Sequence, residues 1–281
     1  MRFLLCCIAA TLAVGCGPTG PAHLFTVRWR KGDKLLYTGR MTQDTSVKDE
    51  NGKRTMRSTM EFRLEGKVLD VDKEGTATLE CRLTKCALTL KAPDKVRKID
   101  LLEEFKRPMP PPVQDRRRRV LSEMMSGPFK MRIDKFFAAR VKGEDDFWRL
   151  LSGGRMSQVA LPPKPLRVGE SFVRRFDKMV GGEGAFSMAT ALTLETATDK
   201  SASWSLSLQS FKMSVQTEDM KMDCKIPRYS GRMRWDAEKQ LLKTAIQMTT
   251  VMTMTMKMMN AQIETTSVMD ADITCKITPA K

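Results

Sequence analysis

The chain reads as mainly β with a small helical insertion: an antiparallel curved sheet or incomplete barrel built from two related halves. Three observations lead there. Polar and apolar residues alternate over long stretches, as in Thr76-Ala77-Thr78-Leu79-Glu80-Cys81-Arg82-Leu83, the period of two of a strand with one buried face. Turn signals such as Asn51-Gly52 and Asp72-Lys73-Glu74-Gly75 separate these stretches. An opening motif also occurs twice, as Lys31-Gly32-Asp33-Lys34-Leu35 and, 137 positions later, as Val168-Gly169-Glu170-Ser171-Phe172.

The chain begins with Met1-Arg2 and an uncharged apolar run over residues 3–14, followed by Gly15 and Cys16. This has the layout of a signal peptide. A run of about 12 residues spans only about 18 Å as a helix, against about 30 Å of bilayer hydrocarbon, so a permanent membrane helix is a poor reading. The junction Leu12-Ala13-Val14-Gly15-Cys16 resembles a bacterial lipobox, in which cleavage exposes a cysteine whose sulfur carries diacylglycerol; Ala13 stands where that pattern usually has Leu. The resemblance implies removal of residues 1–15 and a lipid on Cys16, with palmitate-type acyl chains as a stable anchor. The simpler alternative is an ordinary signal peptide with Cys16 incidental. Gly17 is no acidic retention signal, which favours an outer membrane or the periplasmic face of the envelope.

Residues 16–23 form a short tether. A first β half follows over 24–160, with strands expected at 24–30, 34–47, 54–70, 76–90 and 129–138. A helical insertion at about 95–126 interrupts it, with helices at 98–106 and 116–125 around Pro108-Met109-Pro110-Pro111-Pro112, and a further helix at 144–151. The second half, 161–281, opens on a Pro-rich joint. Strands are expected at 172–179, 185–196, 201–218, 220–226, 231–236, 241–258 and 261–277. Gly127-Pro128-Phe129-Lys130-Met131-Arg132-Ile133-Asp134 answers Ser230-Gly231-Arg232-Met233-Arg234-Trp235-Asp236. A diverged duplication accounts for these echoes, with the insertion covering the concave side of the sheet.

The segment Leu161-Pro162-Pro163-Lys164-Pro165-Leu166-Arg167-Val168-Gly169-Glu170-Ser171-Phe172, together with the Lys-Gly-Asp opening, resembles an uncharacterised family of predicted bacterial lipoproteins. That resemblance implies export and β structure and assigns no activity or functional residue. Periplasmic lipoprotein carriers of the half-barrel type are a looser likeness, through architecture alone.

Seven cysteines and 22 methionines are set against only 6% aromatic residues, and the net charge is +16. Cys6 and Cys7 lie in the signal and Cys16 at the anchor, so Cys81, Cys86, Cys224 and Cys275 remain. In an oxidising compartment an even set suggests two disulfides. Cys81 and Cys86, five apart on one regular strand, would face opposite ways, so each would pair with Cys224 or Cys275. No zinc ligand pattern competes: there is no C-x-x-C pair, and His23 is the single histidine.

With His23 in the tether, hydrolytic triads lack a base, and no G-x-S-x-G, Walker A or G-x-G-x-x-G string occurs. Glu103-Glu104 and Glu144-Asp145-Asp146 read as solvated helix faces. The chain is therefore read as non-catalytic, with no cofactor. Arg116-Arg117-Arg118-Arg119 points all round a helix and lacks interleaved aromatics, which argues against nucleic acid and leaves a solvated helix or contact with anionic lipid or envelope polymer. Met252, Met254, Met256 and Met258 share one strand face. This stripe is core packing, an apolar-ligand face, or an array of soft sulfur donors for Cu(I), to which Met220 and Met222 would add. The function expected is an exported, lipid-anchored envelope protein that binds a lipid or other apolar ligand. A structural or protein-interaction module is the alternative, and a Cu(I)-binding protein a remote one.

Overall fold

Long alternating stretches become long strands. A computed structural model describes residues 19–50, 52–106, 127–141, 160–180, 184–217, 220–256 and 261–280. Its main-sheet strands in the first half are β2 (Lys34–Asp49), β3 (Gly52–Val71), β4 (Ala77–Lys91), β5 (Val96–Asp100), β6 (Phe129–Ile133) and β7 (Ala139–Val141). The second half supplies β9 (Ser171–Val180), β10 (Gly184–Ala197), β11 (Ser201–Gln216), β12 (Met220–Asp236), β13 (Leu241–Met256) and β14 (Ala261–Thr278). They make one antiparallel sheet in the order β7-β6-β4-β3-β2-β14-β13-β12-β11-β10-β9, with β5 beside β4. The sheet is curved and open rather than a closed barrel. β1 (Thr19–His23) and β8 (Leu166–Val168) form a separate two-stranded ribbon.

The two opening motifs fold alike. Gly32 and Gly169 both adopt φ of 89°, a backbone that glycine tolerates without steric cost. The amides of Asp33 and Glu170 donate to the carbonyls of Arg30 and Arg167 at 3.1 and 2.9 Å. The carboxylates of Asp33 and Glu170 in turn accept the amides of Arg30 and Arg167, each at 2.8 Å. Each turn then docks on a strand two places further along the chain: Gly32 and Asp33 exchange bonds with Val68 of β3, and Gly169 and Glu170 with Leu194 of β10. The strand order repeats as well, since β7-β6-β4-β3-β2 and β13-β12-β11-β10-β9 run in the same sense on either side of β14.

Rolling brings distant strands onto one core. The residues between β6 and β7 cross the inner face, where Phe137 meets Trp29 edge-on at 5.8 Å and Trp235 of β12 at 5.6 Å. In a flat sheet β6 and β12 would stand six strand spacings, about 29 Å, apart. The crossing is tied down by hydrogen bonds from Trp29 Nε1 to the Asp134 carbonyl, from the Val27 amide to the Lys135 carbonyl and from the Leu161 amide to the Phe136 carbonyl. On edge strand β9, Arg174 donates to the Ala160 carbonyl at 2.9 Å and lies 5.8 Å from the Phe172 ring. Burial lowers its pKa to about 10, against the opposing pull of Tyr229 and Asp134, so it stays charged at neutral pH. The core this plug completes includes Leu35, Leu64, Leu79, Leu194, Trp204 and Trp235.

Several sequence expectations need correction. Residues 24–30 form no strand, although Val27 and Trp29 are buried, because they run across the inner face instead of joining the ladder. Within the expected tether, Thr19–His23 pairs with β8, and His23 stacks on Phe25. Of the expected helix at 98–106, residues up to Asp100 extend strand pairing with β4. The helix α1 (Leu101–Lys106) starts only where Asp100 Oδ1 accepts the amides of Leu102 and Glu103. Residues 220–226 and 231–236 belong to one strand, because a register shift between Lys225 and Arg228 absorbs Pro227, which has no amide to donate. The expected helices at 116–125 and 144–151, and with them the basic run 116–119, lie outside the described residues.

The disulfides are absent. Cys81 and Cys86 of β4, Cys224 of β12 and Cys275 of β14 take part in none. Nor does the register set any of these cysteines opposite another: Cys81 faces Gly66, Cys86 faces Phe62, Cys224 faces Met252 and Cys275 faces Leu242 and Tyr37. Cys81 and Cys86 share the buried face, against expectation, because a bulge opposite Arg63 and Leu64 shifts the parity of β4. The protein unfolded without reductant should therefore titrate thiols at all four positions; recovery of none would restore the two disulfides.

Gly39 gives a packing test. A Cβ there would lie 2.3 Å from the Phe62 ring, which stacks on Tyr37 at 5.6 Å. Gly39→Ala should lower stability by about 1–3 kcal/mol in urea unfolding, and Phe137→Ala, which empties the aromatic plug, by about 3–5 kcal/mol.

Candidate functional site

Each long strand carries two kinds of face along its length. At the plugged end the inward residues are fully buried, as in Ala202, Trp204 and Leu206 of β11 or Leu242, Thr244 and Ile246 of β13. Towards the other end of the same strands the inward residues are only half-buried, while their neighbours Lys221, Asp223 and Lys225 stay exposed on the outer face.

That half-buried region is rich in sulfur. Met252, Met254 and Met256 do share a face, as the period of two requires, and the register sets them opposite Cys224, Met222 and Met220 of β12. Met213 of β11 lies on the far side of Cys224, and Val215 on the far side of Met222. On β14, Thr265, Ile263 and Ala261 complete the three rows. Met258, the fourth residue of the expected stripe, lies outside the described residues. Nearer the plug, Met248, Met269 and Ala271 form a separate buried cluster, with Met41, Ile226 and Tyr229 packed on it.

Methionine is distributed unevenly between these regions. The main core relies on Leu, Val, Ile and aromatic residues, and among the described residues Met131 and Met233 are its fully buried methionines. Elsewhere among the described residues Met60, Met188, Met248 and Met269 are also buried, and the half-buried end adds Met213, Met220, Met222, Met252, Met254 and Met256 as an adaptable lining. The sequence showed the stripe on β13. It also named Met220 and Met222, which the register does bring opposite Met256 and Met254, but it could not place Met213 and Cys224 beside Met252, because cross-strand register depends on where the bulge at Pro227 falls.

The cysteines divide by environment. Burial pushes the thiols of Cys81 and Cys86 up to about 12, with the charges of Glu80 and Asp100 adding to it, and raises that of Cys275 as well. Cys81 fills the space left by Gly66, where a Cβ would meet its sulfur at 3.0 Å. These three are packing residues. Cys224 is half-buried on the methionine face.

Other chemistry is sparse. Among the described residues no group of three or more His, Cys, Asp or Glu is placed to hold a metal ion. Among the described residues the carboxylates with shifted titration are all shifted downward: Asp44 by hydrogen bonding to Arg57, Glu61 by Lys85, Asp72 by the Thr76 amide and Asp236 by the Lys239 amide. All four are surface groups in ion pairs or turns. No described helix is long and apolar enough to cross a membrane.

No family model and no curated protein matches this chain. Solved structures with distant similarity include lipovitellin, studied for its lipid–protein interactions, at 10% identity and a TM-score of 0.35, over 89% of this chain and 25% of that one. The chain thus spans a quarter of lipovitellin's length. A domain described as outer membrane lipoprotein-sorting, from Vibrio parahaemolyticus, aligns at 12% identity and a TM-score of 0.17, over 84% of this chain and 83% of that one. An outer membrane channel from Pseudomonas putida aligns at 8% identity and 0.21, over 89% and 97%. None of these overlaps defines the fold more closely than the strand order does.

Thiol labelling tests the division of the cysteines. With pKa values near 12, Cys81 and Cys86 hold about one thiolate in ten thousand at pH 8, so Cys224 should alkylate in the folded protein well before the other three. Equal labelling of all four, read by peptide mass mapping, would contradict the buried placement of Cys81, Cys86 and Cys275.

Proposed function

We propose that the chain is a non-catalytic envelope protein, cleaved before Cys16 and held to a membrane by lipid on that cysteine, whose inner sheet face binds an acyl chain or similar apolar ligand. One observation carries this reading: the inner face continues past the packed core as rows of half-buried Met, Ile and Val on β11, β12, β13 and β14. A strand face in contact only with solvent gains nothing from such residues, whereas a flexible apolar lining suits a ligand of variable shape. We also read the halves 24–160 and 161–281 as products of a duplication, supported by the matching turns at Gly32 and Gly169 and the repeated strand order. The positive charge lies on a domain already tethered, and it suits contact with anionic head groups or envelope polymer.

Two measurements test the reading. Cys16→Ser should move the protein from the membrane to the soluble envelope fraction; unchanged membrane association contradicts the anchor. Native mass spectrometry of the protein purified from its own membranes should show a bound lipid mass. Ile263→Lys, which puts a charge on the apolar rows, should cut that occupancy at least tenfold. A bare polypeptide in the parent protein would overturn the ligand assignment.

A further inference from the structure

The corner where β11, β12 and β13 leave the core holds a donor set that an apolar lining does not require. Met213, Cys224 and Met252 stand side by side on three neighbouring strands, and Met222 and Met254 form the next pair along. Directly opposed residues have Cα atoms about 4.5–5.5 Å apart, and successive rows are about 7 Å apart. Each methionine has three rotatable bonds with which to bring its sulfur inward. The five side chains are half-buried on one face, and their strand neighbours Lys221, Asp223 and Lys225 point to the other.

The chemistry of the set is selective. Thioether and thiolate sulfur are soft donors that prefer Cu(I) and its analogue Ag(I), whereas hard ions such as Mg²⁺ and Ca²⁺ need oxygen ligands. No carboxylate or imidazole belongs to these two rows. The central position falls to the one residue of the group able to supply a negative charge. The main core cluster is filled largely by Leu, Ile, Val and aromatic residues, whereas this corner sets four methionines around one cysteine.

We propose that Cys224, flanked by Met213 and Met252 and backed by Met222 and Met254, is a binding site for one soft monovalent cation, Cu(I) or Ag(I). Binding releases the thiol proton of Cys224 to solvent and changes no oxidation state. The site uses one corner of the face and does not depend on whether the rest of it holds an apolar ligand.

Ag(I), which needs no reductant, is the direct probe. The full chain in detergent, titrated with Ag(I) against a competing soft chelator and read by native mass spectrometry, should take up one ion per chain, with no Zn²⁺ uptake under the same conditions. Cys224→Ser should weaken binding at least a hundredfold. The double change Met222→Leu and Met254→Leu, which preserves volume and apolar character, should weaken it about tenfold. The same double variant should keep any bound lipid, which separates failure of this site from failure of the apolar-ligand reading. Met41→Leu, on the same face outside the corner, should bind as the parent does. Absence of Ag(I) uptake, or uptake unchanged in both the Cys224→Ser and the double variant, overturns the proposal.

Discussion

The contact between Phe137, Trp29 and Trp235 governs the molecule. A twelve-stranded open sheet exposes more inner face than its own strands can cover, and the short β1–β8 ribbon, which buries Leu166 in the core, covers little of it. The chain solves this by sending residues 24–30 and 134–138 across the roll and locking them with aromatic edges and backbone hydrogen bonds. Phe137 takes φ of 64°, an uncommon conformation for a non-glycine residue, to present its ring to both tryptophans. Asp134 supports the turn by accepting the amides of Phe136 and Ala138.

The plug occupies only one end of the roll, and this divides every long strand in two. On β13, Leu242, Thr244, Ile246 and Met248 are buried, whereas Met252, Met254 and Met256 are half-buried. Residue choice partly follows the same division: tryptophan and leucine, with Met131 and Met233, fill the plugged end, and half-buried methionine lines the other. Among the described residues the packed core is thereby concentrated at one end, and the inner face at the other is half-buried. The proposed ligand face and the sulfur corner both follow from that separation.

Much of the architecture was legible in the sequence because period-two alternation runs through residues 60–68 of β3 and 77–83 of β4. The repeated turn was legible too, since Gly32-Asp33 and Gly169-Glu170 need both a left-handed glycine and a carboxylate to return to the backbone. What could not be read depends on contacts far apart in the chain. Residues 24–30 alternate like a strand but find their partners at 134–138, more than 100 positions away. The bulge in β4 turned Cys81 and Cys86 to the same side, and the register set no cysteine opposite another, so the disulfides their even number suggested do not form. For the site, the stripe on β13 was visible, but Met213 and Cys224 joined it only through register.

Amide hydrogen exchange on the folded protein tests the central claim, that one plugged end holds the sheet together. Amides at 35–39, 62–66, 204–206 and 242–246 should exchange only through global unfolding, and those at 213–215, 221–224 and 252–256 through local opening at much lower free energy. Uniform protection along each strand from end to end would contradict it.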